Sequence, residues 1–372
     1  MVDRRSVRYF DMISFLLMLA LLAIGLLFVF SATYRPDRPF SLFFKKQLFG
    51  ACAGIGLYLF FSFKDLRNFF RAGFFAYFVL LALLVYTMIG GWIGMGAKRW
   101  ISLSFIRFQP SEMVKFLLPI FLGYYFCEEK VLKFPLLSEG KGLSLQSFAF
   151  PLGILGVSFL LVAKQPDLGT ALIIAFSGII TLWFVGLDRR VIWAGALVCL
   201  CAAPLLWTVL KPYQQKRILV LFGHGDTHKE RYQIEQSIIA IGSGGLCGKG
   251  FLRGTQNKLE FLPEDHTDFI FSVICEEIGF FGVLGVLLLF LLLFIRLMYV
   301  TMSLASFFDQ IVSIGFIMPI FLSVIINLGM VIGMLPIVGI PLPLVSYGLT
   351  NLWITLASLG WLNNIAIRRF YY

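Results

Sequence analysis

The sequence predicts an all-α fold: a polytopic membrane protein with ten transmembrane helices and one long outer loop. Of its 372 residues, 59% are hydrophobic and only 14% are charged, and the mean hydropathy is +0.89. A soluble core cannot absorb that much apolar surface, whereas the bilayer accepts helices that are apolar nearly all round. The apolar residues also fall into ten segments near the roughly 20 residues that cross a bilayer. We therefore expect a single transmembrane domain over residues 1–372.

The ten predicted spans follow one another along the whole chain. They are Met12–Ser31, Gln47–Phe63, Phe74–Ile89, Glu112–Cys127, Phe148–Ala163, Gly169–Gly186, Val191–Leu210, Phe269–Ile295, Ile311–Leu335 and Leu344–Ile367. The first span follows a basic start, but it is long for a signal peptide and lacks a small-residue cleavage site. Residues 211–268 form the long outer loop.

Ten spans place both termini on one side of the membrane. With a cytoplasmic N-terminus, the cytoplasmic segments carry fourteen Lys and Arg residues and the short outer loops carry eight. The positive-inside rule therefore favours cytoplasmic termini and an extracytoplasmic long loop. The surplus of outer cations weakens this signal, which suggests that some of them have a function.

The composition also limits the possible partners. The net charge of +11 fits anionic lipid better than nucleic acid, because no basic run is interleaved with soluble aromatic-bearing strands. The six cysteines form no C-x-x-C pair and mostly lie in apolar runs. We interpret them as small core residues, not as a disulfide framework or a zinc site.

Polar residues concentrate in three outer places, and the first is residues 94–115. Ser111 after Pro110 is typical of a helix start, and the i,i+3 spacing puts Glu112 and Lys115 on one face, close enough to pair. Charge within a membrane is costly and usually retained for function. The pair is therefore either a structural link between helices or part of an anion site.

Two arginines of residues 94–115 and one aspartate of the second polar segment are further candidate site residues. Arg99 and Arg107 either belong to an anion site or anchor the chain at the interface beside Trp100. Asp167 lies in the very short connection 164–170 between two apolar spans. It either caps the following helix or takes part in the site.

The third place is the long loop. Residues 232–241 predict an amphipathic segment that lies at the membrane surface and ends in glycines. Residues 248–250 resemble a phosphate loop but lack its first glycine, its Ser/Thr and a preceding strand. Five titratable residues then precede the eighth span: Glu260, Glu264, Asp265, His266 and Asp268. A run of solvated loop charges does not explain Asp268 well, because this residue lies where the chain enters lipid.

These segments closely resemble the SEDS (shape, elongation, division and sporulation) family of peptidoglycan polymerases. The matching words are Gly96-Ala97-Lys98-Arg99-Trp100, Phe108-Gln109-Pro110-Ser111-Glu112 with Lys115, Gln165 to Thr170, Gly254-Thr255-Gln256, Phe261 to Glu264, His266 to Phe269, and Pro341 to Gly348. The glycine-threonine-glutamine word is more like the elongation members than the division members. One departure is that Leu349-Thr350 follows Gly348, where the family usually has Gly-Ser.

The resemblance implies an activity and roles for several residues. It implies ten transmembrane helices and polymerisation of lipid II into glycan strands at an extracytoplasmic site. Asp268 matches the family's essential aspartate and would be the general base. Lys115, Arg99 and Arg107 would cradle the diphosphate, with Glu112 orienting Lys115. Asp167 and Glu264 are further candidates for substrate binding.

The resemblance also carries expectations about cofactors and partners. A divalent cation, Mg²⁺ or Mn²⁺, would share charge with Asp268 or Asp167, and no organic cofactor is expected. A class B penicillin-binding protein, a single-span transpeptidase, would pack against the helices. Two alternatives are a transporter that flips lipid-linked precursors and a non-catalytic scaffold for cell-wall enzymes. A transporter would show midplane charges and internal repeats, which the sequence lacks.

Overall fold

The computed structural model describes residues 9–37, 39–90, 92–94, 97–103, 106–127, 145–209, 212–221, 228–255 and 266–369. Within these residues the helices are α1 Met12–Thr33, α2 Leu42–Phe63, α3 Arg67–Gly90, α4 Pro110–Cys127, α5 Leu145–Lys164, α6 Leu168–Val185, α7 Arg189–Val209, α8 Pro212–Leu221, α9 His228–Ser243, α10 Ile270–Met302, α11 Phe307–Val331 and α12 Leu349–Arg368. Three short strands lie between α3 and α4: β1 Trp92–Gly94, β2 Ala97–Leu103 and β3 Ile106–Phe108.

The helical, multi-span architecture is confirmed. Seven described helices are long and apolar enough to cross a membrane, namely α1, α2, α3, α5, α6, α10 and α11. Helices α4, α7 and α12 coincide with the other three predicted spans, and the number ten stays a prediction. Both α4 and α12 are buried along most of their length, so protein rather than lipid surrounds them. This explains why α12 can carry Asn363 and Asn364.

Local signals explain where several helices begin and end. Ser41 caps α2 by accepting a hydrogen bond from the Phe44 N–H, and Ser306 does the same for α11 from Asp309. Helix α6 ends at Gly186, which has a φ of 119°. The tenth predicted span began too early, because residues 341–348 form turns and α12 starts only at Leu349.

The small sheet was not predicted from the sequence. Its order is β1-β2-β3, and both pairs are antiparallel. In the backbone register, Trp92 pairs with Trp100 in the first pair of strands, and Ser102 pairs with Arg107 in the second. The sheet lies between two membrane helices, where polar residues interrupt the apolar pattern. It adds a short β element to an otherwise helical chain.

The last helix packs along α2. A Cβ on Gly50 would lie 2.3 Å from Leu349, one on Gly54 would lie 2.4 Å from Leu356, and one on Gly360 would lie 2.4 Å from the Tyr58 carbonyl. Small residues allow membrane helices to approach closely, because van der Waals packing replaces the hydrophobic effect there. Leu349, which departs from the family pattern, therefore fits because it packs on Gly50.

Contacts between chain-distant residues define the two ends of the bundle. At one end, the Arg296 guanidinium binds Asp11 at 2.9 Å, and the Asp11 N–H donates to Asn363. At the other end, the Ser31 hydroxyl donates to Glu277. The beginning of α1 therefore lies beside the ends of α10 and α12. We call this the terminal end of the bundle, and the other the polar end.

The apolar core has two clusters joined by central helices. One cluster draws mainly on α1, α10, α11 and α12, and the other on α3, α4, α5 and α6. Helix α4 contributes to both, with Phe116 in the first and Phe121 in the second. The interpretation of the cysteines as core residues was largely wrong. Of the five cysteines described, only Cys275 is buried, whereas Cys52, Cys127, Cys201 and Cys247 are exposed.

The described part of the long loop, residues 212–221, 228–255 and 266–268, contains two helices, α8 and α9. Residues 232–241 are helical and belong to α9, while their position at the membrane surface stays a prediction. Its buried face packs on α10 and α11, where the Ser237 hydroxyl donates to the Val331 carbonyl at 2.6 Å and contacts the Ser272 hydroxyl at 2.7 Å. Ile238 and Ile239 are exposed.

Candidate active site

Residues 333–348, which connect α11 to α12, join the polar segments at the polar end of the bundle. We call them the α11–α12 loop. A Cβ on Gly169 at the start of α6 would lie 2.7 Å from the Val338 carbonyl. The Tyr347 N–H donates to the His266 carbonyl at 2.9 Å, just before α10. Segments predicted to share a site are thus brought together.

The loop is closely packed and locally strained. Leu344 has a φ of 65°, a left-handed conformation that a leucine rarely adopts. Its carbonyl oxygen would lie 2.5 Å from a Cβ on Gly25 of α1. The Ser346 hydroxyl accepts from the Leu342 N–H at 2.8 Å. Packing on α1 and this internal bond therefore hold the strained turn in place.

Asp268 lies half-buried at the polar end, immediately before α10. Its carboxylate oxygen Oδ2 lies 3.5 Å from the position of a Cβ on Gly339 of the α11–α12 loop. Its main-chain carbonyl accepts a hydrogen bond of 2.8 Å from the Asn327 side chain of α11. The same Asn327 amide donates to the Ile340 carbonyl at 2.8 Å. Asp268 is therefore positioned by three elements.

An aromatic group adjoins this aspartate. The His266 ring lies 4.6 Å from the Phe43 ring of α2 and 5.6 Å from the Tyr347 ring, measured between centroids. Below them, the buried Gln47 side chain donates to the Ser346 carbonyl at 3.1 Å and accepts from the Gly348 N–H at 3.3 Å. Helix α2 thereby fixes the end of the α11–α12 loop and presents Phe43, which is 46% exposed.

The predicted pair of Glu112 and Lys115 is confirmed. The Lys115 ammonium lies 2.8 Å from the Glu112 carboxylate, and both side chains are more than nine-tenths buried in α4. Lys115 also lines a small cavity between α4, α11, α12 and the α11–α12 loop, whose other polar and loop residues are Ser323, Pro343, Asn351, Thr355 and Ser358. The cation therefore borders a small cavity with mixed apolar and polar walls as well as its partner.

Asp167 both caps α6 and joins it to the start of α4. Its carboxylate accepts from the Thr170 N–H, as the capping interpretation predicted. The other carboxylate oxygen accepts from the Gln109 side chain and, at 3.2 Å, from the Ser111 hydroxyl. The residue is buried. Asp167 therefore links α4 and α6. It lies two residues before Gly169, which packs against the α11–α12 loop.

Three predicted site residues have side chains that lie outside the described structure. The backbones of Arg99 and Arg107 lie in β2 and β3, but their side chains lie outside the described structure. Glu264 falls in residues 256–265, which also lie outside it. Sequence reasoning missed Asn327, Phe43 and Gln47 as site residues. A polar residue inside an apolar span was a usable signal for Asn327 and Gln47, whereas nothing distinguished Phe43 among 41 phenylalanines.

The described residues do not form a dedicated metal cage. No group of three or more His, Cys, Asp or Glu side chains lies close enough together in the described ranges to hold an ion. Mg²⁺ is commonly bound by one or two carboxylates together with substrate phosphates. Asp268, with its carboxylate at the polar end, fits that second kind of site, whereas Asp167 is already engaged by three donors.

The fold and site define a polytopic helical membrane protein whose charged and aromatic groups converge at one end of the helix bundle. A family model described as a cell cycle protein of the FtsW, RodA and SpoVE type matches residues 11–370. The chain belongs to this family.

Relatives in several bacteria support the assignment. The peptidoglycan glycosyltransferase MrdB of Escherichia coli K12 is 40% identical over 295 residues, covering 79% of this chain and 77% of the relative. MrdB of Helicobacter pylori 26695 is 33% identical over 374 residues, covering 99% and 93%. The stage V sporulation protein E of Bacillus subtilis 168 is 33% identical over 366 residues, covering 96% of each.

Solved structures share the fold. A chain from a peptidoglycan synthase complex that coordinates polymerization and crosslinking has a TM-score of 0.79 and 28% identity, covering 98% of this chain and 99% of that one. The rod shape determining protein RodA of Thermus thermophilus has a TM-score of 0.71 and 28% identity, covering 97% and 98%.

Proposed function

We propose that this protein is a peptidoglycan glycosyltransferase that polymerises lipid II into glycan strands during cell-wall elongation. The observation that carries the proposal is the convergence of Asp268, the α11–α12 loop and the start of α6 at one end of the bundle. Relatives that cover most of the chain are named peptidoglycan glycosyltransferases. The lipid substrate is consistent with a membrane-embedded site.

Asp268 is proposed as the general base. The reaction forms a bond between an acceptor sugar hydroxyl and the anomeric carbon of the donor, and it breaks the bond from that carbon to the diphosphate oxygen. Asp268 accepts the hydroxyl proton as the new bond forms, and the diphosphate leaves with the electron pair. A single displacement on an α-linked donor gives a β linkage, which needs one base and no enzyme nucleophile. Asn327 holds the aspartate backbone for this step.

Lys115 is proposed to stabilise the negative charge of the leaving diphosphate. Its ammonium is a compact charge with three donors, and Glu112 occupies only one direction around it. The cavity beside it is bounded by Pro343 and Asn351, so it adjoins the α11–α12 loop. Arg99 and Arg107 are proposed to add bidentate contacts to the same diphosphate. Glu264 and Asp167 complete the proposed substrate-binding set.

Phe43, His266 and Tyr347 are proposed to contact a sugar ring of the substrate. Ligand sites combine apolar and aromatic walls with a few convergent polar groups. Here the exposed Phe43 ring provides the wall, and Asp268 lies two residues from His266. A sugar ring resting on this group would present its hydroxyl groups near the proposed base.

A divalent cation, Mg²⁺ or Mn²⁺, is proposed to bind through the substrate diphosphate, which leaves Asp268 available as the base. When bound, such an ion neutralises charge on the leaving group. The paramagnetic signal of Mn²⁺ can be used to measure its binding to the protein. Binding should be weak without lipid II and stronger with a non-reactive lipid-linked diphosphate. Equal binding in both samples would contradict this arrangement.

The protein is proposed to lie in the inner membrane with both termini cytoplasmic and the polar end outside. The terminal end of the bundle gathers Arg296, Arg368 and Arg369, which agrees with a cytoplasmic side. A class B penicillin-binding protein is the proposed partner. Support for a partner of this kind comes from the fold shared with a chain of a complex that both polymerises and crosslinks.

Polymerisation by the purified protein tests the function. Defined lipid II in detergent or proteoliposomes should be converted into long glycan chains with release of the lipid diphosphate. Movement of lipid II across vesicles without chain formation would instead identify a transporter. Neither activity, in a sample that binds a penicillin-binding protein, would identify a scaffold.

A further inference from the structure

Helix α10 is interrupted, and a separate segment of the long loop repairs the interruption. Gly279 has non-helical angles, with φ 67° and ψ −169°. In an unbroken helix, the carbonyls of Glu276 and Glu277 would accept from the N–H groups of Phe280 and Phe281. Residues 244–255, which we call the strap, fold against α10 at this point.

The strap supplies partners for all four of these backbone groups. The Lys249 N–H donates to the Glu276 carbonyl and the Gly250 N–H to the Glu277 carbonyl, each at 2.9 Å. The N–H groups of Phe280 and Phe281 donate to the carbonyls of Gly245 and Leu246, at 2.9 and 3.2 Å. Broken helices are tolerated in membrane proteins where such groups find new partners. The strap therefore sustains the break.

Glycines make this close approach possible. A Cβ on Gly279 would lie 2.2 Å from the Gly248 nitrogen, and a Cβ on Gly248 would lie 2.2 Å from the Glu277 carbonyl oxygen. Both residues have a positive φ, which favours glycine. Residues 248–250 do not match a phosphate loop, and their glycines instead allow the strap to pack closely against α10.

An ion pair between a buried glutamate and a partly exposed lysine attaches the strap to the helix. The Glu276 side chain is 1% exposed, and its oxygen Oε1 accepts from the Lys249 ammonium at 2.6 Å and from the Thr255 N–H and hydroxyl at 2.8 Å each. Glu277 is also buried, and it accepts from the Ser31 hydroxyl of α1. Removing one partner of a buried pair is costly because the other charge stays desolvated.

The first half of α10 connects this junction to the active site. Residues 270–277 are all buried, and Ser272 contacts Ser237 of α9. Asp268 precedes this half-helix, and the Glu276 ion pair lies at its far end. Because the helix is interrupted at Gly279, the second half of α10 does not by itself fix the direction of the first half. The strap adds a constraint at the interruption, beside the contacts of Ser272 with Ser237 and of Glu277 with Ser31.

We propose that Lys249 and Glu276 are positioning residues that set the orientation of Asp268 through residues 270–278. This inference rests on the proposed function, in which Asp268 is the base. Without the ion pair the strap loosens, the half-helix pivots at Gly279, and the carboxylate leaves its productive position. A displacement of about 1 Å can cost up to about 100-fold in rate.

The test compares Glu276→Gln and Lys249→Met with Lys249→Arg, which keeps the charge. In lipid II polymerisation, the first two variants should lose about 10- to 100-fold in kcat with KM little changed. Lys249→Arg should retain most of the activity. Arg296→Gln is the matched control, because it breaks the Asp11 pair at the terminal end. It should lower the melting temperature without lowering kcat.

Hydrogen exchange supplies a readout that does not need activity. Amides of residues 270–281 should exchange faster in Glu276→Gln than in the wild type, and should be unchanged in Arg296→Gln. Full kcat in a folded Glu276→Gln variant, or unchanged exchange, would overturn the proposal. If the wild type itself makes no glycan, the proposed function fails, while the exchange measurement still decides whether the strap holds the half-helix.

Discussion

The side-chain amide of Asn327 donates to the main-chain carbonyl of Asp268 at 2.8 Å, across 59 residues of sequence. The same amide donates to the Ile340 carbonyl at 2.8 Å. One fully buried side chain therefore joins α11, the α11–α12 loop and the proposed base. The relationship makes Asn327 a structural determinant of where Asp268 lies.

Replacing Asn327 by Ala should reduce polymerisation strongly. The change leaves two carbonyls without their donor, at a cost of about 1–3 kcal/mol for each group left unsatisfied. Asn364→Ala is the matched control, because that amide donates to the carbonyls of Phe61, Ser62 and Lys64. Both variants should lose thermal stability, but only Asn327→Ala should lose kcat beyond what its folded fraction explains. Equal kcat in the two folded variants would contradict this role.

Asp268→Asn should keep the fold and abolish most polymerisation. The amide is nearly isosteric with the carboxylate, but it cannot accept the hydroxyl proton. The expected loss in kcat is roughly 10²- to 10⁴-fold, the range for a general base. Lipid II binding, measured separately, should be retained. Near-normal glycan synthesis by this variant would remove Asp268 from the role of base.

Lys115→Ala should lower both stability and kcat, because Glu112 would remain buried without its cation. The double variant Glu112→Ala with Lys115→Ala separates the two effects. Expression and melting temperature should recover in the double variant, while glycan synthesis should stay low. Recovery of synthesis together with expression would show that the pair is only structural.

Phe43→Ala should raise KM for lipid II with a smaller change in kcat, because the proposed sugar contact is made before the reaction. Phe43→Tyr keeps the ring and should behave nearly as the wild type. Phe60, an exposed ring on the same helix, provides the control through Phe60→Ala. Kinetics with purified lipid II measure all three variants. An unchanged KM in Phe43→Ala would rule out the contact.

Sidedness can be checked by cysteine labelling in intact cells. Glu235→Cys, in the exposed part of α9, should react with a membrane-impermeant maleimide, whereas Asp65→Cys, after α2, should react only in permeabilised cells. The background must lack native cysteines, because Cys247 is exposed. The reverse pattern would place Asp268 in the cytoplasm and exclude polymerisation outside the cell.

The helices were predictable because lipid imposes a length and an apolar composition that a single sequence displays. The pairing of Glu112 with Lys115 was predictable for a similar reason, since helical spacing is local. The β strands were not, because β1, β2 and β3 are short and mixed in polarity.

The long-range relationships of the site were also beyond the sequence. Nothing local links Asn327 to Asp268, or the strap to Gly279, because each contact depends on how distant helices pack. The sequence motifs shared with a known family did indicate which segments lie together at the site. They did not indicate that Asp167, besides capping α6, accepts hydrogen bonds from Gln109 and Ser111.

The pairing of α2 with α12 has a consequence for how the protein is made. The Trp353 indole donates to the Gly50 carbonyl across 303 residues of sequence. At about 5–20 residues per second, translation delivers this partner roughly 15–60 s after α2 has emerged. During that interval the glycine face of α2 has no α12 to pack against, and the Gln47 amide has no Ser346 carbonyl to bind. A nascent chain released before its final helix would therefore lack the companion of its second helix, and membrane quality control would have an uncovered surface to recognise.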